Sequence, residues 1–433
     1  MTFTIVTFGC KVNSYETEAV KEMMIKASFE YVKNYKDADI VLFNTCSVTR
    51  VSEKKCLTKI RSLNANYKDK IACCFGCFSQ LHPEELAQLE NVKVIIGNRK
   101  KDKLVDYINK YLETRERIID VKSNLRQEIY EELKISSFSS EVRAFMKIQD
   151  GCDNFCSYCV IPFTRGKSCS RKREDVLLEV EKLAKKGYRE IVLSGVDIGS
   201  YKDGEDYRFI DLIKDILKVE PKSFRLRISS LESSEISDEL ISIMKNDNRL
   251  VNHLHIPLQS GSQKILGLMN RKYDLNYFKE LTKKLKREVP NIALSTDVIV
   301  GFPSESDDDF KDTYDFIKEV GFMRVHVFPY SARPFTLASK MKEQVSRECS
   351  KNRVRILTDL SSRLARQYFE NNLSKSLEVL LEEELPSEDG YLIFRGYSQN
   401  YIDIKVRTKE NLLGKVVKVV LLDQEIQEVD SII

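Results

Sequence analysis

The chain has 433 residues, 42% apolar and 31% charged, which excludes a disordered chain and exceeds one ordinary domain. The 70 basic and 66 acidic residues leave a net charge of +4, which neither requires nor excludes nucleic acid, because local patches decide that. No run approaches the ~18 uninterrupted apolar residues of a membrane helix, and the first residues lack the basic and apolar regions of a signal peptide.

The expectation is therefore a cytoplasmic protein with no membrane partner and with reduced thiols. Its 11 cysteines are then not a disulfide framework; they pack in cores or bind metal. The 4 histidines, His82, His253, His255 and His326, lie away from any dense cysteine group, so mixed Cys/His zinc sites gain little support.

In chain order, TFTIVTF, DIVLFNT, KIACCFG and KVIIG read as strands, with helices near 14–30, 50–64, 84–90 and 100–112. This βα rhythm predicts an N-terminal parallel α/β sheet domain over 1–112. A charged and then serine-rich linker is expected over 113–137. Over 138–367, six more strands alternate with helices: AFMKIQ, REIVLSG, SFRLRISS, HLHIPLQ, ALSTDVIVG and RVHVFPY. They predict a partial (β/α)6 barrel, whose chemistry sits at the carboxyl ends of its strands. A long helix near 345–372 precedes alternating strands over 370–433, which predict a small β-barrel.

The strongest motif is Cys152-x-x-x-Cys156-x-x-Cys159, on a loop just after a strand. Three soft thiolates converging there suit an iron–sulfur cluster. A cubane has four irons, so one stays open to an exogenous ligand such as S-adenosylmethionine (SAM). A three-cysteine zinc knuckle is the rival, with Cys169 the one nearby candidate for a fourth ligand. Cys10, Cys46 and Cys77 each follow an apolar strand. Parallel strands bring their carboxyl ends to one edge, where three thiolates meeting would hold a second cluster. Spacing alone explains them equally well as small buried residues. Cys73 and Cys74, inside a strand, read as core; Cys56, Cys169 and Cys349 read as non-ligands.

The segments TFGCKVNSYETE, NTCSVT, GCFSQ, IQDGCDNFCSYCVIPFTRG, HIPLQSGS and TDVIVGFP resemble the MiaB/RimO family of methylthiotransferases, in order and across essentially the whole chain. The resemblance implies an auxiliary 4Fe-4S cluster on Cys10, Cys46 and Cys77, a radical-SAM 4Fe-4S cluster on Cys152, Cys156 and Cys159, and a C-terminal TRAM domain, OB-like in form. It implies SAM as both methyl donor and radical source. GCKVNSYETE and HVFPYSARP look like the MtaB branch, whose substrate is threonylcarbamoyl-adenosine beside the tRNA anticodon. Isopentenyl-adenosine tRNA or a ribosomal-protein aspartate is the alternative target, and a non-catalytic iron–sulfur RNA-binding or electron-carrier protein the alternative class. Partners implied are tRNA, an electron donor of flavodoxin or ferredoxin type and a sulfur source. Ser304 and Phe335 depart from the family, which often has glycine at both.

Strand ends supply further candidates. Gly195 allows close approach to SAM, or simply a turn; Ser229, Ser230, Glu232, Gln259 and Ser260 are placed to bond SAM. Asp297 reads either as a barrel-lining polar group or as a satisfied structural carboxylate. His253 and His255 read as packing. Arg165, Lys167, Arg171, Lys172 and Arg173 border the cluster loop and are expected to contact RNA phosphate. Lys351, Arg353, Arg355, Arg363 and Arg366 read as an exposed helix face. The C-terminal 371–433 carries 7 basic against 12 acidic residues, odd for an RNA-binding module. Contact there would use Arg395, Lys405, Arg407 and Lys409, with Tyr397 or Tyr401 stacking on bases.

Overall fold

A computed structural model of the chain describes residues 1–122, 125, 130–133, 135, 142–387 and 390–433. Its first unit is an all-parallel sheet of β1 (Thr2–Thr7), β2 (Glu30–Tyr31), β3 (Ile40–Thr45), β4 (Ile71–Gly76), β5 (Val92–Ile96) and β6 (Ile118–Asp120), ordered β2-β1-β3-β4-β5-β6. Helices α1 (Lys11–Lys26) and α5 (Leu104–Thr114) cover one face. The other is covered by α2 (Arg50–Asn66), α3 (Cys77–Leu81) and α4 (Pro83–Ala87). Cover on both sides is why β3 and β4 are unbroken buried runs. Cys73 packs into one of these cores and Cys74 into the other, as strand alternation requires.

The stretch expected as a linker is partly structured. It contains the end of α5 and the edge strand β6, and Leu133 and Ile135 are buried. A three-residue edge strand carries too little pattern to stand out from charged surroundings. The rest of that linker, at 123–124, 126–129, 134 and 136–137, lies outside the described residues.

The second unit begins with β7 (Arg143–Lys147). A short antiparallel ribbon, β8 (Gln149–Asp150) with β9 (Cys169–Ser170), closes the cysteine loop and its helix α6 (Ile161–Thr164). There follow α7 (Arg173–Lys185), β10 (Glu190–Ser194), the hairpin β11 (Lys202–Asp203) and β12 (Tyr207–Arg208), α8 (Phe209–Ile216) and β13 (Arg225–Ile228). The unit continues with α9 (Asp238–Asn246), β14 (His253–His255), α10 (Gln263–Leu268), α11 (Leu275–Glu288), β15 (Ala293–Val300), α12 (Asp307–Val320) and β16 (Arg324–Pro329). The six parallel strands form two halves, β13-β10-β7 and β14-β15-β16. A bridge between Leu226 and Leu250 and the Leu231 N–H donating to His255 O join them.

The barrel's apolar core lies outside the strands, between them and the helices. The inward residues are instead polar: Arg143, Glu190, Arg227, His255, Asp297 and His326 alternate with outward core residues such as Leu226, Leu254 and Val325. None of the described helices is long and apolar enough to cross a membrane.

Helix α13 (Arg347–Glu370) packs on β16 and leads into the third unit. Its strands β17 (Ser376–Leu385), β18 (Leu392–Ser398), β19 (Asp403–Thr408), β20 (Val416–Val420), β21 (Ile426–Glu428) and β22 (Ser431–Ile432) make one curled sheet, a half-barrel ordered β21-β19-β18-β17-β20-β22. The turn between β18 and β19 enters the amino-terminal end of the barrel. There Arg225 donates to Tyr397 O (2.8 Å), and Arg227 donates to Gln399 O and Ser398 O (both 3.2 Å). Tyr401 stacks on His253 (4.7 Å between centroids) and on Tyr397 (4.9 Å). Arg227 lies over the Tyr401 ring at 4.6 Å.

Candidate active site between the sheet and the barrel

The sheet order β2-β1-β3 reverses direction between β1 and β3, the position where open α/β sheets leave a crevice at their carboxyl edge. Cys10 follows β1 and caps α1, Cys46 follows β3, and Cys77 begins α3 after β4. The chain turns sharply at Gly9 and Gly76, with φ of +113° and +100°. A Cβ on Gly9 would lie 2.9 Å from Cys46 Sγ, so glycine lets the first loop reach the second thiol. Polar hydrogens point at the sulfurs. The Val48 N–H donates to Cys46 Sγ (3.5 Å) and Asn98 Nδ2 donates to Cys77 Sγ (3.4 Å). Burial pushes the Cys46 thiol up to about 11. Burial also raises Cys10, against the pull of the Arg165 guanidinium.

The second triad sits on the loop between β8 and α6. The Asn154 N–H donates to Cys152 Sγ (3.4 Å), and Arg271 Nη1 donates to Cys156 Sγ (3.5 Å). Burial pushes the Cys159 thiol up to about 12. Among the described residues, the one group of three potential ligands with all ligand atoms within 4.8 Å of one another is His255, Asp297 and His326. Both cysteine triads are wider than that. A single zinc with bonds of ~2.3 Å draws its sulfurs to within ~4 Å of each other, so neither triad is drawn in as tightly as one zinc ion requires. They fit the two cubanes expected, each with three thiolates and amide hydrogens turned to sulfur.

One cavity of about 210 Å³, open to solvent, lies between the sheet unit and the barrel beside the second triad. Val48 and Thr49 line it from the sheet, Cys159 and Ile161 from the cluster loop, and Gln259, Asp297 and Phe328 from the barrel. Deeper in, His253 Nε2 and His255 Nδ1 both lie 3.0 Å from Ser295 Oγ, and His255 Nε2 is 3.2 Å from Asp297 Oδ2. His253 Nδ1 is buried without a partner. The tautomers that leave no donor unpaired have His253 Nε2–H donating to Ser295, Ser295 O–H donating to His255 Nδ1, and His255 Nε2–H donating to Asp297. That proton fills the space where a metal would sit, so this group is a hydrogen-bonded floor. Lys11, the first residue of α1, is exposed, with its ammonium 5.9 Å from the centre of the Phe145 ring. Burial among protein groups, with Arg143 and Arg227 nearby, lowers its pKa. No ion pair joins it among the described residues.

Between the triads runs a buried ionic network. Glu16 meets Arg165 (3.0 Å), Lys147 (2.8 Å) and Lys101 (3.5 Å), and Asp150 meets Lys147 (2.7 Å) and Arg165 (3.0 Å). Arg165 also donates to Asn13 Oδ1 (2.9 Å), and Asn13 Oδ1 in turn accepts from the Cys10 thiol (3.6 Å). The expectation that Arg165 and Arg171 contact RNA is overturned: they are 1% and 2% exposed. Arg171 is held by Glu179 (2.7 Å) and Glu132 (2.6 Å). Basic sequence alone does not tell a solvated face from buried ion pairs whose acids come from distant segments. Lys167, Lys172 and Arg173 are exposed, and Arg173 pairs with Glu174 (2.9 Å).

Other expected residues fall as follows. Glu232 pairs with Arg271 beside Cys156, and burial raises its pKa. Gln259 lines the main cavity at φ +66°. Ser230 is half-buried at the end of β13. At Gly195 a Cβ would meet Ile198 at 2.5 Å and Gln149 O at 3.0 Å, so local packing explains this glycine. Tyr397 and Tyr401 face the barrel, not RNA. Arg395 pairs with Asp403, Lys405 with Glu425 (2.5 Å), and Arg407 lies 3.7 Å over Tyr391 near Lys409. Arg353, expected on an exposed face, is buried against Glu305 (2.5 Å). Sequence reasoning missed the acid pair Asp197 and Glu235. Burial and the neighbouring Asp197 push Glu235 up to about 9, and Asp197 accepts from the Cys152 thiol (3.6 Å).

Comparison with known proteins decides the family. Residues 146–317 match the Radical SAM superfamily model and 2–97 match the uncharacterized protein family UPF0004. The threonylcarbamoyladenosine tRNA methylthiotransferase MtaB of Bacillus subtilis is 40% identical, over 96% of this chain and 92% of its own length. The chain belongs to the methylthiotransferase family. A second relative, the tRNA-2-methylthio-N(6)-dimethylallyladenosine synthase of the same organism, is 33% identical over 96% of this chain and 82% of its own. Among solved structures, the radical SAM methyltransferase TsrM of Kitasatospora setae with cobalamin and a [4Fe-4S] cluster shares the fold (TM-score 0.59, 13% identity, 78% of this chain and 73% of that one). As a methylthiotransferase the chain uses two 4Fe-4S clusters and SAM.

Proposed function

We propose that this methylthiotransferase converts N6-threonylcarbamoyladenosine of tRNA to its 2-methylthio derivative. The observation that supports this reading is that two cysteine triads, one on each unit, follow the carboxyl ends of their strands, and that Val48 and Thr49, just after Cys46, line one cavity together with Cys159. Cys152, Cys156 and Cys159 would hold the radical-SAM cluster, and Cys10, Cys46 and Cys77 the auxiliary one. When bound, the first supplies the electron for homolytic carbon–sulfur cleavage of SAM and the second carries the sulfur to be transferred.

The chain's own residues do the positioning. Ser230 and Glu232 follow β13 and Gln259 follows β14, so all three stand at the carboxyl ends of two strands, where they would orient SAM. Gln259 lines the main cavity and Glu232 a smaller one beside Cys156. Arg271 and Asn154 hold the loop sulfurs, and the Glu16–Arg165–Asp150 network fixes the distance between the triads. A threonylcarbamoyl group carries a carboxylate, and Lys11, which has no ion pair among the described residues, would meet it with a cation from beside the barrel. An isopentenyl group offers that cation no partner, which favours the threonylcarbamoyl substrate. The units near 1–112, 138–367 and 370–433 would then act as sulfur-carrying domain, radical core and TRAM domain, served by a separate sulfur source and an electron donor of flavodoxin or ferredoxin type.

Anaerobic reconstitution tests the cofactor assignment. Wild type should hold about eight irons per chain and the Cys152/Cys156/Cys159 triple alanine variant about four. Nucleoside analysis of tRNA from a deletion strain tests the substrate. Loss of the 2-methylthio group from threonylcarbamoyladenosine is expected, and its loss only from isopentenyladenosine would refute the assignment.

A further inference from the structure

The cationic run expected to bind RNA is largely buried or paired, yet the mouth of the cavity carries a different surface. Phe335 (61% exposed), Leu337 (65%) and Val51 (62%) lie open to solvent, as do Phe163 and Val48. Phe163 follows the cluster loop on α6, and its ring lies 5.9 Å from that of Phe335. Hydrogen bonds tie these segments into one rim: the Arg50 N–H donates to Ser331 Oγ (3.2 Å), and the Ala338 N–H donates to Ser157 O (2.8 Å). Ser331, Arg333, Val48 and Ile161 line the cavity just inside.

Phe335 sits at φ +67°, a conformation that a bulky side chain adopts only at a cost. Its ring does not recover that cost by burial. Among these apolar groups stand cations. Val51, Lys54 and Lys55 share one face of α2, and Arg50 precedes them. All are exposed, and none of the three cations has an ion pair among the described residues. The neighbouring acid, Glu53, is taken by Arg333.

We infer that this rim, centred on Phe163 and Phe335, is the docking surface for the unpaired loop of the tRNA whose adenosine enters the cavity. The inference rests on the proposed function. Exposed aromatic faces offer stacking platforms to splayed bases, and interleaved cations meet the phosphates between them. Double-stranded RNA would not need such platforms, because its bases stay stacked. A second copy of this chain is the other occupant an apolar rim would suit, but it would bring Arg50, Lys54 and Lys55 against their own copies.

The test uses the reconstituted holoenzyme and a fluorescent anticodon stem-loop hairpin. Phe163→Ala with Phe335→Ala should weaken Kd about ten-fold or more, as should Arg50→Ala with Lys54→Ala at low salt. Phe163→Tyr should bind as wild type does. Iron content and melting temperature report whether each variant folds, and Phe335→Gly, which removes the ring and the positive-φ cost together, provides a ring deletion that cannot unfold the loop by strain. An unchanged Kd in the Phe163/Phe335 and Phe335→Gly variants would overturn the inference. So would sedimentation showing a wild-type dimer that the double variant dissociates. A wild type that binds no tRNA at all would sink the proposed function instead.

Discussion

Glu16 shows how much one buried residue decides here. Burial alone would raise its pKa, but Arg165, Lys101 and Lys147 outweigh that and hold its carboxyl well below the usual carboxylate range. Its folded value is therefore below its unfolded value of about 4.3. The stability it contributes is present above that value and is lost as pH falls toward the folded one. Melting temperature should hold from neutrality to about pH 5 and drop below about pH 4. Glu16→Gln leaves three buried cations undercompensated and should cost about 3–5 kcal/mol at neutral pH by urea titration. A loss under about 1 kcal/mol would mean that Asp150, with Glu131 at Lys101 (2.8 Å), balances them without Glu16. Ser304 gives the opposite case. It stands at φ +69°, where the family often has glycine, so Ser304→Gly should stabilise by about 0.5–1 kcal/mol.

At the scale of elements, each site cysteine sits where a strand gives way to a loop or helix. That placement was legible: Cys10, Cys46 and Cys77 each end an apolar run, and Cys152, Cys156 and Cys159 stand at cluster spacing after another. The strands themselves were equally legible, because cover on both faces makes them near-continuous apolar segments. Short edge pieces such as β6 and the β8–β9 ribbon were not, since two or three residues carry no period. The glycines before Cys10 and Cys77 test the first triad's geometry. Gly9→Ala would drive a methyl group into Cys46 Sγ from a positive-φ position. It should reduce bound iron from about eight to about four per chain, with the radical-SAM cluster retained. Eight irons remaining would show that Cys46 moves aside freely.

On the scale of the whole molecule, the third unit is the floor of the barrel. Its β18–β19 turn supplies Tyr401 to a stack with His253, and the end of β18 supplies carbonyls to Arg225 and Arg227, whose charges Glu190 balances (2.5 and 2.8 Å). The net acidity of this unit, puzzling for an RNA module, is consistent with that role: Glu382 pairs with Arg143 (2.9 Å) across the junction. Tyr401→Ala should cost about 3 kcal/mol of global stability by denaturant titration. A variant as stable as wild type would show that the turn rests in the barrel without bracing it.

The sequence by itself determined the fold class and the order of the three units, and it singled out Cys152, Cys156 and Cys159 by spacing, because apolar period and cysteine spacing are local properties of the chain. Cys10, Cys46 and Cys77 stood out through the family resemblance. Only the tertiary structure decided which charges are free. Arg165, Arg171 and Arg353 look solvated in sequence and are buried against Glu16, Glu179 and Glu305, whereas Lys11 has no ion pair among the described residues. The reason is physical: an ion pair depends on distance in space, and Glu16 lies 149 residues from Arg165 along the chain.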